Sequence, residues 1–276
     1  MNAGNAIGNS RAGQRTPTGD AADASEGVLL QGETAEPRTQ LRLGALSAIL
    51  GALLALVVNL LYPIPPDDPE ALLTLIASNA NWSLLNLALM ISTLLILGGL
   101  HSLSQVAQGS LARGLARLGV LIAIPGAGIM LIGLAVDGFA MKALADLWAN
   151  APVADKADTF RAALAVEQVQ RALFHTWAAF FVGAPFLLLG LSGLVAGGGF
   201  PRWLGLMAAL GGAGALIAGA AGFLGASLPS LLFVVAATLV TLWILIAGIV
   251  ALRRTGRPRV TAAYPATTPG PREMMA

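Results

Sequence analysis

The chain has 276 residues, of which 56% are hydrophobic and 11% are charged, and its formal net charge is +2. Soluble domains carry roughly 25% charged residues, so this composition excludes a string of soluble domains and indicates that lipid surrounds most of the chain. The sequence contains no cysteine, which excludes disulfides, thiolate catalysis and cysteine-ligated metal sites. The arginines are dispersed near predicted helix ends, so the basic charge does not indicate a nucleic-acid partner.

The two ends of the chain are polar. Residues 1–38 have almost no aromatic or β-branched side chains and predict a disordered tail. Because no apolar run lies near the start, we expect the first span to act as its own insertion signal. Residues 255–276 are rich in Pro and Thr and predict a second disordered tail. Residues 39–254 between them predict one membrane domain.

Six apolar windows within that domain contain no Lys, Arg, Asp or Glu. Each has about twenty residues, which at 1.5 Å per residue cross a hydrocarbon core of roughly 30 Å. The sequence therefore predicts an all-α polytopic membrane protein with a six-transmembrane-helix bundle. The predicted spans are residues 43–62, 82–100, 118–136, 172–196, 203–226 and 231–252.

Two connecting segments also predict helices. The run Asp67-Asp68-Pro69-Glu70 places carboxylates and a proline before the apolar ALLTLIA, which is typical of a helix start. We expect a short outer helix after span one. From Asp155 the helical pattern runs unbroken through Glu167 into span four, so we expect helix four to extend outward beyond the membrane.

Basic residues near the span ends predict the orientation, because Lys and Arg of short loops stay in the cytoplasm. They fall in one alternating set of connections, while the other set is acidic or mixed. Both termini are therefore expected in the cytoplasm. The abundance of Arg, Ala and Gly is typical of a GC-rich bacterial genome, so we expect the membrane to be the bacterial plasma membrane. The basic set is Arg38, Arg42, Arg113, Arg117, Arg202, Arg253, Arg254, Arg257 and Arg259.

Small residues recur every four positions in span five. Such spacing lets helix backbones approach closely in lipid, either within one chain or in a homo- or hetero-oligomer. We favour packing within the chain, with span five central and the Leu-rich span six facing lipid. The predicted packing residues are Gly211, Ala215, Gly219, Gly214, Ala218 and Gly222.

Polar residues cluster at the outer level. Glu167, Arg171 and His175 recur every four residues, and Asp137 ends span three at the same level. They form either a site for a metal, a proton or an anion, or an interfacial network. In that network Glu167 pairs with Arg171, and Asp137 pairs with Arg171 or His175. His101 lies at the other side, so we expect no two-histidine metal site. The pattern predicts no cofactor and identifies no small-molecule ligand.

The segment LFHTWAAFFVGAPFLLLGLSGLVAGGGFPRWLG resembles an uncharacterised bacterial family of six-span membrane proteins, a domain of unknown function. Its members show a histidine at the outer start of helix four, here His175, and a PRWLG-like turn before helix five, here residues 201–205. The resemblance implies the same six-helix architecture and no activity.

Three functions are open on the sequence. The favoured one is a non-enzymatic structural, regulatory or accessory membrane component. A small transporter is the alternative, although Pro125 and Pro185 have no counterparts in the matching spans of a three-plus-three repeat. The third is a membrane-embedded hydrolase or metal-dependent enzyme that would use Asp137, Glu167 and His175. The sequence has no HExxH, GxSxG or phosphate-loop motif.

Overall fold

The computed structural model describes residues 19–196, 200–224 and 230–255, and within these ranges it contains helices joined by turns and no β-strand. Two short π-helical segments, Val136–Met141 and Ala178–Gly183, interrupt the α-helices, and we call them the first and second π segment. The α-helices are α1 Gly19–Leu61, α2 Pro69–Ser78, α3 Trp82–Ser104, α4 Ser110–Ala135, α5 Lys142–Asn150, α6 Lys156–Trp177, α7 Ala184–Ala196, α8 Arg202–Phe223 and α9 Ser230–Thr255.

Six helical stretches of the described chain are long and apolar enough to cross a membrane. The prediction of an all-α, six-span bundle is thereby confirmed, and the chain is a multi-pass membrane protein. The π segments do not end their helices, so the third stretch runs over Ser110–Asn150 and the fourth over Lys156–Val195. The extension of helix four is confirmed, whereas the comparable extension of helix three beyond Val136 was not predicted.

The predicted tails fall partly outside the description. Residues 1–18 and 256–276 lie outside the described residues, as do the glycine turn 197–199 and the loop 225–229. The helix α1 begins at Gly19, so it includes residues that the sequence assigns to the N-terminal tail.

A small second core lies at the end of the bundle that carries α2, which we call the α2 end. The Asp68 carboxylate accepts a hydrogen bond of 2.8 Å from the Ala71 N–H, and Pro69 occupies the first turn, as predicted for this helix start. Lys142 donates to the Ala77 carbonyl at 3.0 Å and so satisfies the last turn of α2. Buried apolar side chains join α2 to α5 and α6, namely Leu73, Ile76, Trp82, Met141, Ala145, Trp148 and Ala163.

The helix α8 packs between several others through its small residues. Gly211 and Gly214 lie against α9, and a Cβ placed on Gly211 would come within 3.0 Å of it. Gly219 and Gly222 lie against α6, with a Cβ on Gly219 only 2.8 Å from a carbonyl oxygen there. Ala215 is fully buried. These contacts are formed within one chain, as favoured from the sequence. The expected central place of span five is not seen, because the fourth helical stretch is more buried than α8 and no α8 residue lines the cavity of the bundle described below.

The helix α9 has two different faces. Leu231, Val234 and Val235 are exposed, as expected for a lipid-facing helix, but Trp243 and Ile244 are buried in the core. Span six is therefore only partly lipid-facing. Ala218, the remaining predicted packing residue, is half-buried on α8.

The opposite end of the bundle brings together helix ends that carry arginine, and we call it the arginine end. The Arg254 guanidinium lies 5.6 Å from the centre of the Phe200 ring, and Ser192 donates to the Ala112 carbonyl at 2.8 Å. His101 is exposed there, far from the predicted polar cluster. The arginines near the ends of the candidate spans on this side are Arg42, Arg113, Arg117, Arg202, Arg253 and Arg254.

Candidate functional site

A cavity of about 290 Å³ lies within the bundle, between α1, α3, α4, α6, the second π segment, α7 and α9. We call it the central cavity. Much of its wall is aromatic, and among the described residues that line it only Asp137 carries a formal charge. The aromatic lining residues, besides Tyr62, are Phe174, Trp177, Phe181, Phe186 and Phe233.

Asp137 forms the polar end of the central cavity together with residues of α1 and α3. The Tyr62 hydroxyl donates a hydrogen bond of 2.5 Å to the Asp137 Oδ2 atom. Asn86, which is 1% exposed, donates through Nδ2 to the Tyr62 oxygen at 3.3 Å and to the Trp82 carbonyl at 3.1 Å. Three side chains from three helices therefore meet at one point of the wall.

Side chains of α3 hold the backbone of the first π segment, which carries Asp137. A π turn pairs N–H and C=O groups five residues apart, so carbonyls at its ends lack their usual partner. Trp82 Nε1 donates to the Asp137 carbonyl at 3.1 Å, and Ser83 Oγ donates to the Gly138 carbonyl at 2.6 Å. A Cβ placed on Gly138 would lie 2.5 Å from the Asn86 Cβ, so glycine is required for this approach.

Two acceptors in the wall have no hydrogen-bond partner within the described chain, Asn86 Oδ1 and Gln170 Oε1, and both atoms are buried. The Asn86 Nδ2 atom faces the Trp82 carbonyl, which only accepts. Exchanging the amide oxygen and nitrogen would therefore lose this hydrogen bond and bring two acceptors together. A buried acceptor left unpaired costs about 1–3 kcal/mol. Two buried acceptors on residues that line the central cavity therefore lack a partner in the described chain.

A second cavity of about 290 Å³ adjoins the first, and we call it the vestibule. Glu167 and Arg171 line it and form an ion pair of 2.6 Å, with a second hydrogen bond of 3.0 Å from the Arg171 Nε. Pro65 and Arg171 are exposed, so the vestibule reaches the surface at the α2 end. The residues that line both cavities are Tyr62, Asp137, Gln170 and Phe174.

The predicted polar cluster is divided by the structure. Asp137, Glu167 and Arg171 line the vestibule together, whereas His175 lines neither cavity and packs its ring on Gly222 of α8. Residues four apart drift by about 40° per step, so two steps turn His175 away from the face of Glu167.

The expected pairing of Asp137 with Arg171 or His175 is wrong, because the described residues give Asp137 a bond to Tyr62 instead. In the described part of the chain, no three metal-ligating side chains come close enough to hold an ion.

Several wall residues were missed by the sequence reading. Gln170, Phe174, Trp177 and Phe181 follow Glu167 in steps of three and four, which stay close to one face of a helix. This stripe of side chains was the pattern in the sequence from which the wall residues could have been predicted. The role of Tyr62 had no such signal, because an aromatic residue at a span end also fits the membrane interface.

Comparisons with protein-family models, with curated proteins and with solved structures found no match to this chain. The resemblance of residues 173–205 to a six-span family therefore stays a prediction.

Proposed function

We propose that this chain is a bacterial plasma membrane protein that binds a small amphipathic molecule in its central cavity and does not transform it. The observation that carries the proposal is a cavity with a largely aromatic wall and a carboxylate, Asp137, at its polar end. Ligand pockets combine mostly apolar walls with a few placed polar groups, at volumes from roughly 300 Å³ upward. The cavity of about 290 Å³ lies at the lower end of that range.

The placement of His175 favours binding over catalysis. A general base and its partner must lie within hydrogen-bond reach of the reacting group, at roughly 2.6–3.2 Å. Because the His175 ring packs on Gly222, it does not converge with Asp137 and Glu167 on one substrate position. The proposed role is therefore that of a non-enzymatic receptor, regulator or accessory component.

The distribution of charge supports an orientation for this function. The arginine end matches the cytoplasmic side under the positive-inside rule, which places both termini in the cytoplasm. The α2 end, where Asp67, Asp68 and Glu70 precede α2, then faces outward. A ligand would reach the central cavity from outside through the vestibule.

Photolabelling of the purified protein in lipid nanodiscs tests the proposal. The probe is a long-chain alcohol with a diazirine in its chain, and the labelled peptides are identified by mass spectrometry. We expect label on α6 and the second π segment, at the cavity wall around Phe174 and Phe181. Ala237 lines the cavity from α9, so Ala237→Trp should fill the space and reduce this label severalfold.

The matched control is Ala220→Trp, which makes the same change at an exposed position of α8. It should leave labelling of the cavity peptides at the wild-type level. Label spread evenly over lipid-facing helices, or unchanged in Ala237→Trp, would contradict the proposal.

A small transporter is the second candidate, and the vestibule favours it because it leads from the surface to the cavity. Transport also requires an opening at the arginine end, where Leu100 and Leu204 are fully buried. Uptake into proteoliposomes of a compound that displaces the photolabel would support transport. Uptake equal to that of empty vesicles would contradict transport and leave ligand binding as the function.

A further inference from the structure

We propose that the ligand of the central cavity is a monovalent organic cation, an amine or quaternary ammonium compound with an apolar body. The inference rests on the proposed binding function and names its ligand class. Its basis is the match between such a cation and the charge and aromatic surface of one cavity.

The cavity presents one unbalanced negative charge to a ligand. Asp137 is the one formally charged residue among the described residues that line it, and its neighbours Tyr62 and Asn86 are neutral. In the vestibule, Arg171 is already paired with Glu167 at 2.6 Å. A charge at this depth acts through a lower dielectric than water, so a single positive charge on the ligand is favoured and a negative one repelled.

The Tyr62 hydroxyl donates its hydrogen bond to the Asp137 carboxylate. A donated bond of this kind stabilises the charged form of a carboxylate. The Tyr62 hydroxyl lies 2.5 Å from Asp137 Oδ2. A cation bound beside Asp137 would favour the charged form further.

The polar residues of the wall include both acceptors and donors, the latter on the Asn59 amide and the Trp177 indole. Asn86 Oδ1 and Gln170 Oε1 have no partner among the described residues. The hydroxyls of Thr93 and Thr241 donate to carbonyls four residues earlier, each at 2.8 Å, so their lone pairs are what remains. Because the wall carries both donors and acceptors, its one formal charge and its aromatic surface decide the ligand class.

Aromatic rings supply the surface for the remainder of the ligand. Phe174, Trp177 and Phe233 pack edge to face, with centroid distances of 5.0 Å, 4.8 Å and 5.5 Å for the three pairs. Rings of this kind attract cations at their faces and also bury apolar groups. A quaternary ammonium group, which has no N–H donor, would be held by these faces and by Asp137.

Equilibrium binding to the full-length protein in nanodiscs of neutral lipid tests the ligand class. The probes are phenethylamine, phenethyl alcohol and 3-phenylpropanoate, which share the ring and differ in charge. We expect phenethylamine to bind at least about tenfold more tightly than the alcohol, and the anion to bind most weakly. Asp137→Asn should weaken phenethylamine by at least about tenfold and change the alcohol less than about twofold.

Asp158→Asn is the matched control, because Asp158 is exposed and paired with Arg161 on α6, outside both cavities. It should leave the binding of all three probes unchanged. The comparison of probes on the wild-type protein needs no variant, so it stands even if Asp137→Asn fails to fold.

The outcomes separate the two proposals. If the alcohol binds as tightly as the amine and Ala237→Trp weakens both, the cavity binds ligands but the preference for cations is overturned. If none of the probes binds and the diazirine alcohol does not label the cavity, both proposals fail. A preference for phenethylamine that persists undiminished in a folded Asp137→Asn protein would also overturn the inference.

Discussion

Tyr62 connects the parts of the candidate site through one hydroxyl group. It donates to Asp137 at 2.5 Å and accepts from Asn86 at 3.3 Å, and its ring packs 4.9 Å from the Trp82 ring. These contacts come from α1, α3 and the first π segment. The polar end of the cavity is therefore held by side chains from separate helices.

We predict that Tyr62→Phe destabilises the fold by about 1.5–3 kcal/mol, the contribution of a hydrogen bond to a charged group. The change keeps the ring and removes the donor to Asp137. The measurement is SDS unfolding in mixed micelles. Thr238→Val is the control, since the Thr238 hydroxyl is exposed and bonds only within α9, and it should change little. Equal stability of Tyr62→Phe and wild type would contradict the role assigned to this hydroxyl.

Single residues were predicted unevenly from the sequence. Asp137, Glu167 and Arg171 were correctly placed at one level, because charged residues at the ends of clean apolar windows leave few alternatives. His175 was placed on the wrong face, since four-residue spacing drifts around a helix. Tyr62 could not be predicted as a partner of Asp137, because no spacing rule relates residues of separate helices.

At the scale of elements, the second π segment shows how α4 and the fourth helical stretch fit together. Pro185 follows this segment and lacks an N–H donor, which disturbs the regular α-helical pattern before it. Gly126 of α4 lies so close that a Cβ there would overlap the Phe180 carbonyl group. The close approach brings α4 against the wall that carries Phe181, which lines the central cavity.

We predict that Gly126→Ala destabilises the fold by about 1–3 kcal/mol, because the new methyl meets backbone atoms that cannot turn aside. Gly128→Ala on the same helix has no atom within 4 Å of the new Cβ. This matched variant should be as stable as wild type or slightly more so, given the better helix propensity of alanine. SDS unfolding of both variants checks the pair, and equal effects would contradict the packing.

The sequence predicted the elements better than their irregularities. The start of α2 was correct because Asp68 and Pro69 satisfy a local rule for the first turn. The continuation of helix three through Gly138 was missed, because the partners of the first π segment, Trp82 and Ser83, lie on another helix. Regular hydrophobic length is a local property, whereas a π turn depends on tertiary contacts.

At the scale of the whole molecule, the arrangement of charge separates two ends. The arginine end includes Arg42 and Arg117, and the α2 end includes the vestibule and the acidic start of α2. We predict that alkaline phosphatase fused after Ala154 is active, since it lies outside the cell. Fusions after Arg117 and after Arg254 should be inactive. Activity at either arginine site would overturn the proposed orientation and the outward-facing vestibule.

We propose that the central cavity is reached from the α2 end and selects positively charged ligands. The natural chain has no cysteine, so a single introduced thiol reports on one position. The test is the rate at which Ala237→Cys, on intact cells, reacts with two impermeant reagents, trimethylammonioethyl methanethiosulfonate and sulfonatoethyl methanethiosulfonate. Ala237 lines the central cavity, and Ala220→Cys at an exposed position of α8 is the control.

We predict that Ala237→Cys reacts at least about tenfold faster with the cationic reagent than with the anionic one. Adding Asp137→Asn should reduce this ratio severalfold, and Ala220→Cys, which faces lipid, should react slowly with both. A thiol at position 237 that reacts with neither reagent, or with both at the same rate, would contradict the claim.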